Sequence, residues 1–381
     1  MLEKELEIYI HIPFCKKKCN YCDFLSFSQY NPLYIPALLE EIEYAKIETS
    51  ETQKDIVKTI FFGGGTPSIL EGADITNILK RIYNRFEIDK DVEITIEINP
   101  GTITRERLEI YKKAGINRIS FGLQTTNNKE LQELGRIHTY EEFLQNYKIA
   151  REIGFLNINV DLLSAIPGQT VESWNEVLSN VVSLSPEHIS AYSLIIEQGT
   201  KFYDKYNIDK EGLPTEEEER QMYYSTKKIL EEAGYNRYEI SNYSKSGYEC
   251  RHNLGYWERV NYIGYGLGAS SLINHTRFSN ISDMNEYLEG VKNKCISLHR
   301  EWDYLSIQAE MEEFMFLGLR IMQGVSVAKF EEVFQTKIRK VYGSCLDKLV
   351  QENLIETDGN RISLTEKGID LSNYVLSEFL L

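Results

Sequence analysis

Six short runs rich in β-branched residues alternate with turns and helix-type segments through the first half of this chain, and that alternation restricts the fold more than any other feature. The runs are Glu7 to Ile12, Val57 to Phe62, Glu93 to Ile98, Asn117 to Gly122, Leu156 to Leu162 and His188 to Ile195. Between the second and third, Ile75, Ile78, Leu79, Ile82 and Phe86 fall at the spacing of one helix face, and Trp174, Val177, Leu178, Val181 and Val182 do the same before the sixth. Strands separated by helices are joined by right-handed crossovers and pair in parallel. Six such units predict a partial, TIM-like (β/α)6 barrel, with binding residues at the C-terminal strand ends and in the loops that follow them.

Near residue 205 the pattern changes, and 381 residues leave room for further units. The reading divides the chain into a barrel over 1–205, an aromatic-rich α+β extension covering it over 206–300, and a helical, winged-helix-like unit over 301–381. Leu213 to Gly234 reads as a helix, with Thr215 as cap, Glu218 three residues on and Gly234 as stop. A Tyr- and Gly-rich stretch follows, Tyr235 to Ser271. From about Glu301 a long amphipathic helix is expected, then another near Tyr342 to Gln351 and a hairpin turning at Asp358-Gly359. Winged helices often bind DNA, but residues 301–381 hold 14 acidic and 8 basic side chains, and the whole chain carries a formal charge of −16. A surface of that sign repels phosphate backbones, which argues against nucleic acid as a partner. The N-terminus lacks the basic start and apolar core of a signal peptide, and no stretch reaches the roughly 18 apolar residues of a membrane span. The expectation is a soluble cytoplasmic protein with no stable membrane insertion.

Of six cysteines, three crowd into Cys15, Cys19 and Cys22 directly after the first strand, while Cys250, Cys295 and Cys345 are scattered and read as reduced thiols. Three thiolates in one loop cannot pair as disulfides without leaving one over, whereas they can converge on a metal centre. Lys16, Lys17 and Lys18 in the loop are expected to favour the thiolate form. A structural zinc site with His11 as fourth ligand, although His11 lies on the strand rather than in the loop, and a chance trio of reduced thiols are the alternatives. One βα unit later comes Gly63-Gly64-Gly65-Thr66-Pro67, a turn that permits close backbone approach and positive φ. Glu97, Gln124, Arg136 and Asp161 then fall at or after the ends of the third, fourth and fifth strands, and a barrel would gather them around one mouth.

The CxxxCxxC array in YIHIPFCKKKCNYCDF resembles the cluster motif of radical S-adenosylmethionine proteins, whose fold is the partial barrel expected here. The resemblance implies a 4Fe-4S cluster on Cys15, Cys19 and Cys22 with its fourth iron open to S-adenosylmethionine, an arrangement that passes an electron to the sulfonium and cleaves a carbon–sulfur bond. It further implies that Gly64, Gly65 and Thr66 hold the methionine moiety and that Glu97 and Asp161 accept hydrogen bonds from ribose hydroxyls or the amino group. Arg136 would pair with the carboxylate, Gln124 would orient the adenosyl part, Tyr9 would contact the ligand, and Tyr21 and Phe24 would wall the adenine.

Agreement is closest with the oxygen-independent coproporphyrinogen III oxidase family and its HemW-type haem-chaperone relatives, through YIHIPFC, GGGTPS, NRISFGLQ, LGRIH, HNLGYW and GYGLGAS in order over nearly the whole chain. One departure is Ser164-Ala165-Ile166, where that branch usually reads a Tyr-Gly-Leu type tripeptide. The oxidases carry a further Cys two positions after the third, where this chain has Phe24, and a long extension before the first strand. The chaperone branch carries HNxxYW, present as His252 to Trp257. An imidazole suits haem iron, and Tyr and Trp suit a porphyrin face; a hydrogen-bonded structural histidine is the alternative for His252. The resemblance thus implies haem as cargo, delivery to haem-requiring proteins, respiratory ones at the inner membrane among them, and no assigned catalytic residue. Whether the chain is also an enzyme stays open, the alternative being a radical oxidoreductase acting on a porphyrin. His11 and His138 read as packing groups behind the cofactor.

Overall fold

The computed structural model describes residues 5–45, 55–294 and 298–381. All six expected strands are present: β1 (Glu5–Ile12), β2 (Ile56–Gly64), β3 (Glu87–Ile98), β4 (Arg118–Gln124), β5 (Asn157–Ser164) and β6 (His188–Ser193). They pair in parallel in chain order. Period-two alternation separates the two faces of this sheet. Leu6, Ile8, Ile10 and Ile12 of β1, Ile94, Ile96 and Ile98 of β3, and Ile158, Val160 and Leu162 of β5 share one buried apolar core with the helices. Those helices include α1 (Tyr34–Tyr44), α2 (Gly72–Arg85), α3 (Arg105–Ala114), α4 (Asn128–Glu133), α5 (Tyr140–Ile153) and α6 (Val171–Ser183). The opposite face is polar. Asn159 Nδ2 donates to Ser120 Oγ and Asp161 Oδ1, both at 2.8 Å, while His188 Nδ1 lies 2.6 Å from Asn159 Oδ1.

The segment after the barrel departs from the expected cover. The sheet continues at both edges to twelve strands in the order β12-β11-β10-β9-β1-β2-β3-β4-β5-β6-β8-β7. Here β7 is Asn236–Arg237, β8 Asn242–Ser244, β9 Asn261–Tyr265, β10 Ser270–Ile273, β11 Thr276–Asn280 and β12 His299–Tyr304. The Tyr- and Gly-rich stretch therefore supplies strands, and strand β9 lies parallel to β1. Helices α7 (Lys201–Tyr206), α8 (Glu216–Glu232) and α9 (Arg251–Trp257) precede β9, with α10 (Met284–Lys292) between β11 and β12. Thr215 and Glu218 form the expected reciprocal cap of α8.

Helix α11 (Ile307–Gly318) begins later than expected, because residues 299–304 pair with β11 and Ser306 caps the helix. With α12 (Val327–Phe334), α13 (Ile338–Gln351) and a three-stranded sheet of β13 (Val325–Ser326), β14 (Ile355–Thr357) and β15 (Arg361–Leu364), it builds a separate core around Met315, Phe330, Tyr342 and Leu349. The hairpin turns at Asp358-Gly359 as expected, with Gly359 at φ 88°.

Trp174 joins α6 to α8: it is fully buried and its indole donates to Thr226 Oγ1 at 2.9 Å. Trp174→Ala should cost about 3–5 kcal/mol, read as a lower urea midpoint, and an unchanged midpoint would show that the α6–α8 contact is not part of the folded core.

Candidate functional site

The cysteine loop is tied down before any ligand is considered. Cys15 N donates to Phe27 O at 2.9 Å and Phe27 N to Pro13 O at 2.7 Å, closing the loop on itself. Asn20 anchors its middle, with its side chain donating to Glu133 O at 2.8 Å and its backbone N–H to Leu134 O at 2.9 Å. Gly135, at φ 75°, leaves room for that anchor, since a Cβ there would lie 2.9 Å from Asn20 Oδ1. His11 holds the loop from behind through Leu25 O at 2.9 Å and Tyr9 OH at 3.1 Å. With both ring nitrogens so engaged, His11 is a packing group and not a fourth ligand.

A cavity of about 150 Å³ opens above the loop, lined by Cys15, Cys19, Cys22, Tyr21, Phe24, Gly64, Gly65, Thr66, Glu97, Gln124, Arg136 and Asp161. The fold brings together members far apart in the chain: Cys19 and Arg136, 117 positions apart, meet across the barrel mouth, Nη1 to Sγ at 3.5 Å. Arg136 also bonds Asn99 Oδ1 at 3.1 Å and the Gly122 carbonyl, and Thr66 Oγ1 donates to Cys15 Sγ at 3.4 Å. Burial, then the neighbouring thiols, pushes the Cys22 thiol up to about 11, against the pull of Lys18. The lysines therefore do not set its protonation as expected; they are exposed, and Lys18 turns to Phe24 O. Burial, reinforced by Asp161, raises the Glu97 carboxyl to about 8. Among the described residues no three His, Cys, Asp or Glu side chains are grouped to hold a single metal ion. Three thiols spread around a cavity suit a multinuclear cluster taking one thiolate per iron better than one zinc with thiolates at about 2.3 Å.

Phe24, 64% exposed, also borders a second cavity of about 560 Å³, together with Gly64 and Glu97. Tyr9 and His11 line this second space rather than the first, opposite Tyr256, Trp257 and Tyr262. Gly64, at φ 106°, lies so close to His11 that a Cβ would meet the ring at 2.5 Å, which gives glycine here a packing role beside any ligand role. Neither lining includes Ser164, Ala165 or Ile166.

His252 does not offer a free nitrogen to this cavity. It is 1% exposed inside the barrel, with Nδ1 2.6 Å from Thr59 Oγ1, Nε2 3.0 Å from Tyr256 OH, and its ring stacked on Phe61. The reason is the alternating strand: Glu7, Thr59, Phe61 and Glu93 all face inward, and Glu93 accepts from the backbone N–H groups of Arg251 and His252 at the start of α9. Glu7 lies 3.8 Å from His252, yet the two do not form an ion pair, because burial raises Glu7 to about 9 and lowers His252 to about 3. The imidazole thus positions Tyr256, and the flat groups of this helix that reach the cavity are Tyr256 and Trp257. Cys250 is buried against Glu93, Cys345 faces Glu378 O, and Cys295 lies outside the described residues.

Sequence reasoning missed Asn99, Ser120 and Gly122, which also line the first cavity. Ser120 and Gly122 stand four and two positions before Gln124 on β4, so the period-two pattern carried the signal. Asn99, just past β3, carried none beyond its place at a strand end.

Residues 9–181 match the Radical SAM superfamily and residues 305–371 the HemN C-terminal domain. The chain is 37% identical over 384 residues to the heme chaperone HemW of Lactococcus lactis, covering 100% of this chain and 99% of that protein. It is 37% identical over 375 residues to the heme chaperone HemW of Bacillus subtilis, covering 98% of each. The solved structure of coproporphyrinogen III oxidase (HemN) from Escherichia coli, titled a radical SAM enzyme, superimposes with a TM-score of 0.86 at 23% identity, over 99% of this chain and 90% of that one. This likeness establishes the partial-barrel fold.

The Glu7 carboxyl makes the buried packing of α9 testable. Folded, Glu7 keeps its proton up to about 9, whereas its ordinary value is 4.5. Between those values the folded state binds the extra proton, so this residue's contribution to stability falls as pH rises. Glu7→Gln should flatten the decline in urea midpoint between pH 5 and pH 8.5, and parallel profiles for the two proteins would contradict a buried, protonated Glu7.

Proposed function

Because the chain belongs to the HemW heme-chaperone family and has the radical S-adenosylmethionine fold, we propose that it binds haem and delivers it to haem-requiring proteins, with a 4Fe-4S cluster and S-adenosylmethionine held beside the haem. One observation carries this reading: the cavity over the three cysteines and the larger aromatic cavity share Phe24, Gly64 and Glu97 as common walls. At about 560 Å³ the second cavity is within the range of small-ligand sites.

The donor set fits a cluster with an open position, since three thiols face one cavity and His11 is occupied elsewhere. Such a cluster, when bound, supplies an electron and an iron site for chelation. The chain's own residues then bind and orient. Gly64, Gly65 and Thr66 hold the methionine end, Arg136 faces its carboxylate, Glu97 and Asp161 take the amino group or ribose hydroxyls, Gln124 orients the adenosyl part, and Tyr21 and Phe24 wall the adenine, while Tyr9 contacts the ligand from the adjoining cavity. Ser120 Oγ donates to Asp161 Oδ2 at 2.9 Å, which fixes that carboxylate for its partner. Tyr256 and Trp257 offer the porphyrin its apolar face, with His252 behind Tyr256. The setting is cytoplasmic. No helix among the described residues is long and apolar enough to cross a membrane, so delivery to respiratory recipients at the inner membrane would be peripheral.

Anaerobic reconstitution should give roughly four iron and four sulfide per chain, and Cys15→Ala/Cys19→Ala/Cys22→Ala should lose the cluster's absorption and paramagnetic signal; a triple variant that keeps them would remove the cluster from this loop. Tyr256→Ala/Trp257→Ala should weaken haem binding about tenfold or more with the cluster intact, and unchanged affinity would place haem elsewhere. Coproporphyrinogen III should not be converted to protoporphyrinogen IX, in keeping with Phe24 in place of the oxidases' extra Cys. Sustained turnover dependent on S-adenosylmethionine, seen by product chromatography, would replace the chaperone reading with the oxidoreductase one.

A further inference from the structure

Two arginines line the aromatic cavity, Arg259 just after α9 and Arg277 on β11. Both are engaged by carboxylates of α11, the first helix of the C-terminal unit. Arg259 Nη2 lies 3.2 Å from Glu310 Oε1 and its Nε 3.0 Å from Glu313 Oε2, while Arg277 Nη1 lies 2.7 Å from Glu313 Oε1. His275, in the turn between β10 and β11, adds a contact to Glu310 at 2.5 Å. Glu310 and Glu313 are buried, at 6% and 7% exposure. Leu317, one turn further along α11, reaches the same cavity wall.

The placement is specific. Arg259 sits at φ 58°, a left-handed conformation that a glycine or asparagine would adopt at lower cost. From that position its side chain reaches Glu310 and Glu313. The remaining walls near it are Tyr256, Trp257, Tyr262, Leu272 and Leu317, so the space offers flat apolar contact with two cationic forks at one side. Guanidinium forks match carboxylates bidentately. A planar apolar body bearing free carboxylates is the complementary ligand. Charge balance then sets a condition: two guanidinium groups already face two buried carboxylates, and two more anions in the same buried volume would be uncompensated.

Building on the haem-binding reading above, we propose that Arg259 and Arg277 bind the ring carboxylates of a porphyrin in this cavity, and that the ligand takes the arginines over from Glu310 and Glu313. Filling the cavity thereby loosens α11 and the C-terminal unit it begins. Linkage makes the effect reciprocal: whatever weakens the α11 carboxylates tightens the ligand, and by the same factor.

The test titrates the full-length chain with ferric haem and with its dimethyl ester, which keeps the ring and iron but lacks the charges. The unmodified chain should prefer haem to the ester about tenfold or more. Arg277→Gln should cut the preference severalfold and Arg259→Gln/Arg277→Gln should abolish it, neither changing ester affinity; Arg277 is partly exposed, so the single variant carries the test if the one lacking the more buried Arg259 folds poorly. Glu310→Gln/Glu313→Gln should tighten haem roughly five- to tenfold and leave the ester alone. Amide exchange over Ile307–Gly318 should accelerate when haem, but not the ester, is added. Equal affinity for the two ligands, or a preference unchanged by Arg277→Gln, overturns the proposal while the haem-binding reading stands. Binding of neither ligand overturns both.

Discussion

A sheet that curls on itself with helices packed on its outside must still satisfy its inner side, and here that side is made of groups that need hydrogen bonds. Glu7, Glu93, Glu97, Arg118, Ser120, Asn159, Asp161 and His188 all stand on the inner face, and most are buried. Left unpaired, each would cost the fold its desolvation. Asn159 therefore bonds Ser120, Asp161 and His188 together, and His188 passes the chain on to Tyr238 OH at 2.8 Å. Helix α9 fills the other side of the same interior, its first N–H groups ending on Glu93 and its imidazole on Thr59.

That constraint has a direct bearing on the site. Nearer the beginnings of the strands, Asn159, Ser120 and His188 are engaged by one another and Glu93 by α9. Those near the C-terminal ends, Glu97, Gln124 and Asp161, have no second layer of protein above them and border the open cavity instead. The site is thus the unfilled end of a structural network. Its members are held before any ligand arrives, the condition under which hydrogen-bond donors and acceptors bind without paying for their own ordering. Gly255 shows how tightly the filled end is packed: a Cβ there would lie 2.0 Å from Glu7 Oε1, so α9 can approach β1 only with glycine at that position.

Much of this was legible in the chain. The six strands, the α2 and α6 stripes, the α8 cap and the final hairpin followed from local patterns, because each is set by residues within one or two turns of each other. The three cysteines and the polar residues at strand ends also came together as expected. Strands such as EITIEI and RISFGLQ alternate where a parallel strand buried against helices on both faces would be continuously apolar. That alternation marks a polar interior and would have named Ser120 and Gly122.

The sequence by itself determined the six barrel strands, their parallel order and most of the side chains that line the cysteine cavity, since periodicity and strand-end position are local properties. Tertiary structure alone decided where the aromatic extension went. Residues 236–304 supply strands to both edges of the sheet, a matter of which open edge lies nearest once the barrel has formed. It also decided the state of His252. In the sequence that histidine stands beside Tyr256 and Trp257 as an iron ligand, but Thr59 of β2, 193 positions away, claims its Nδ1, Glu93 of β3 takes its backbone N–H, and Tyr256 on its own helix takes Nε2. Which donor is spoken for depends on contacts between distant segments, and no local pattern records them.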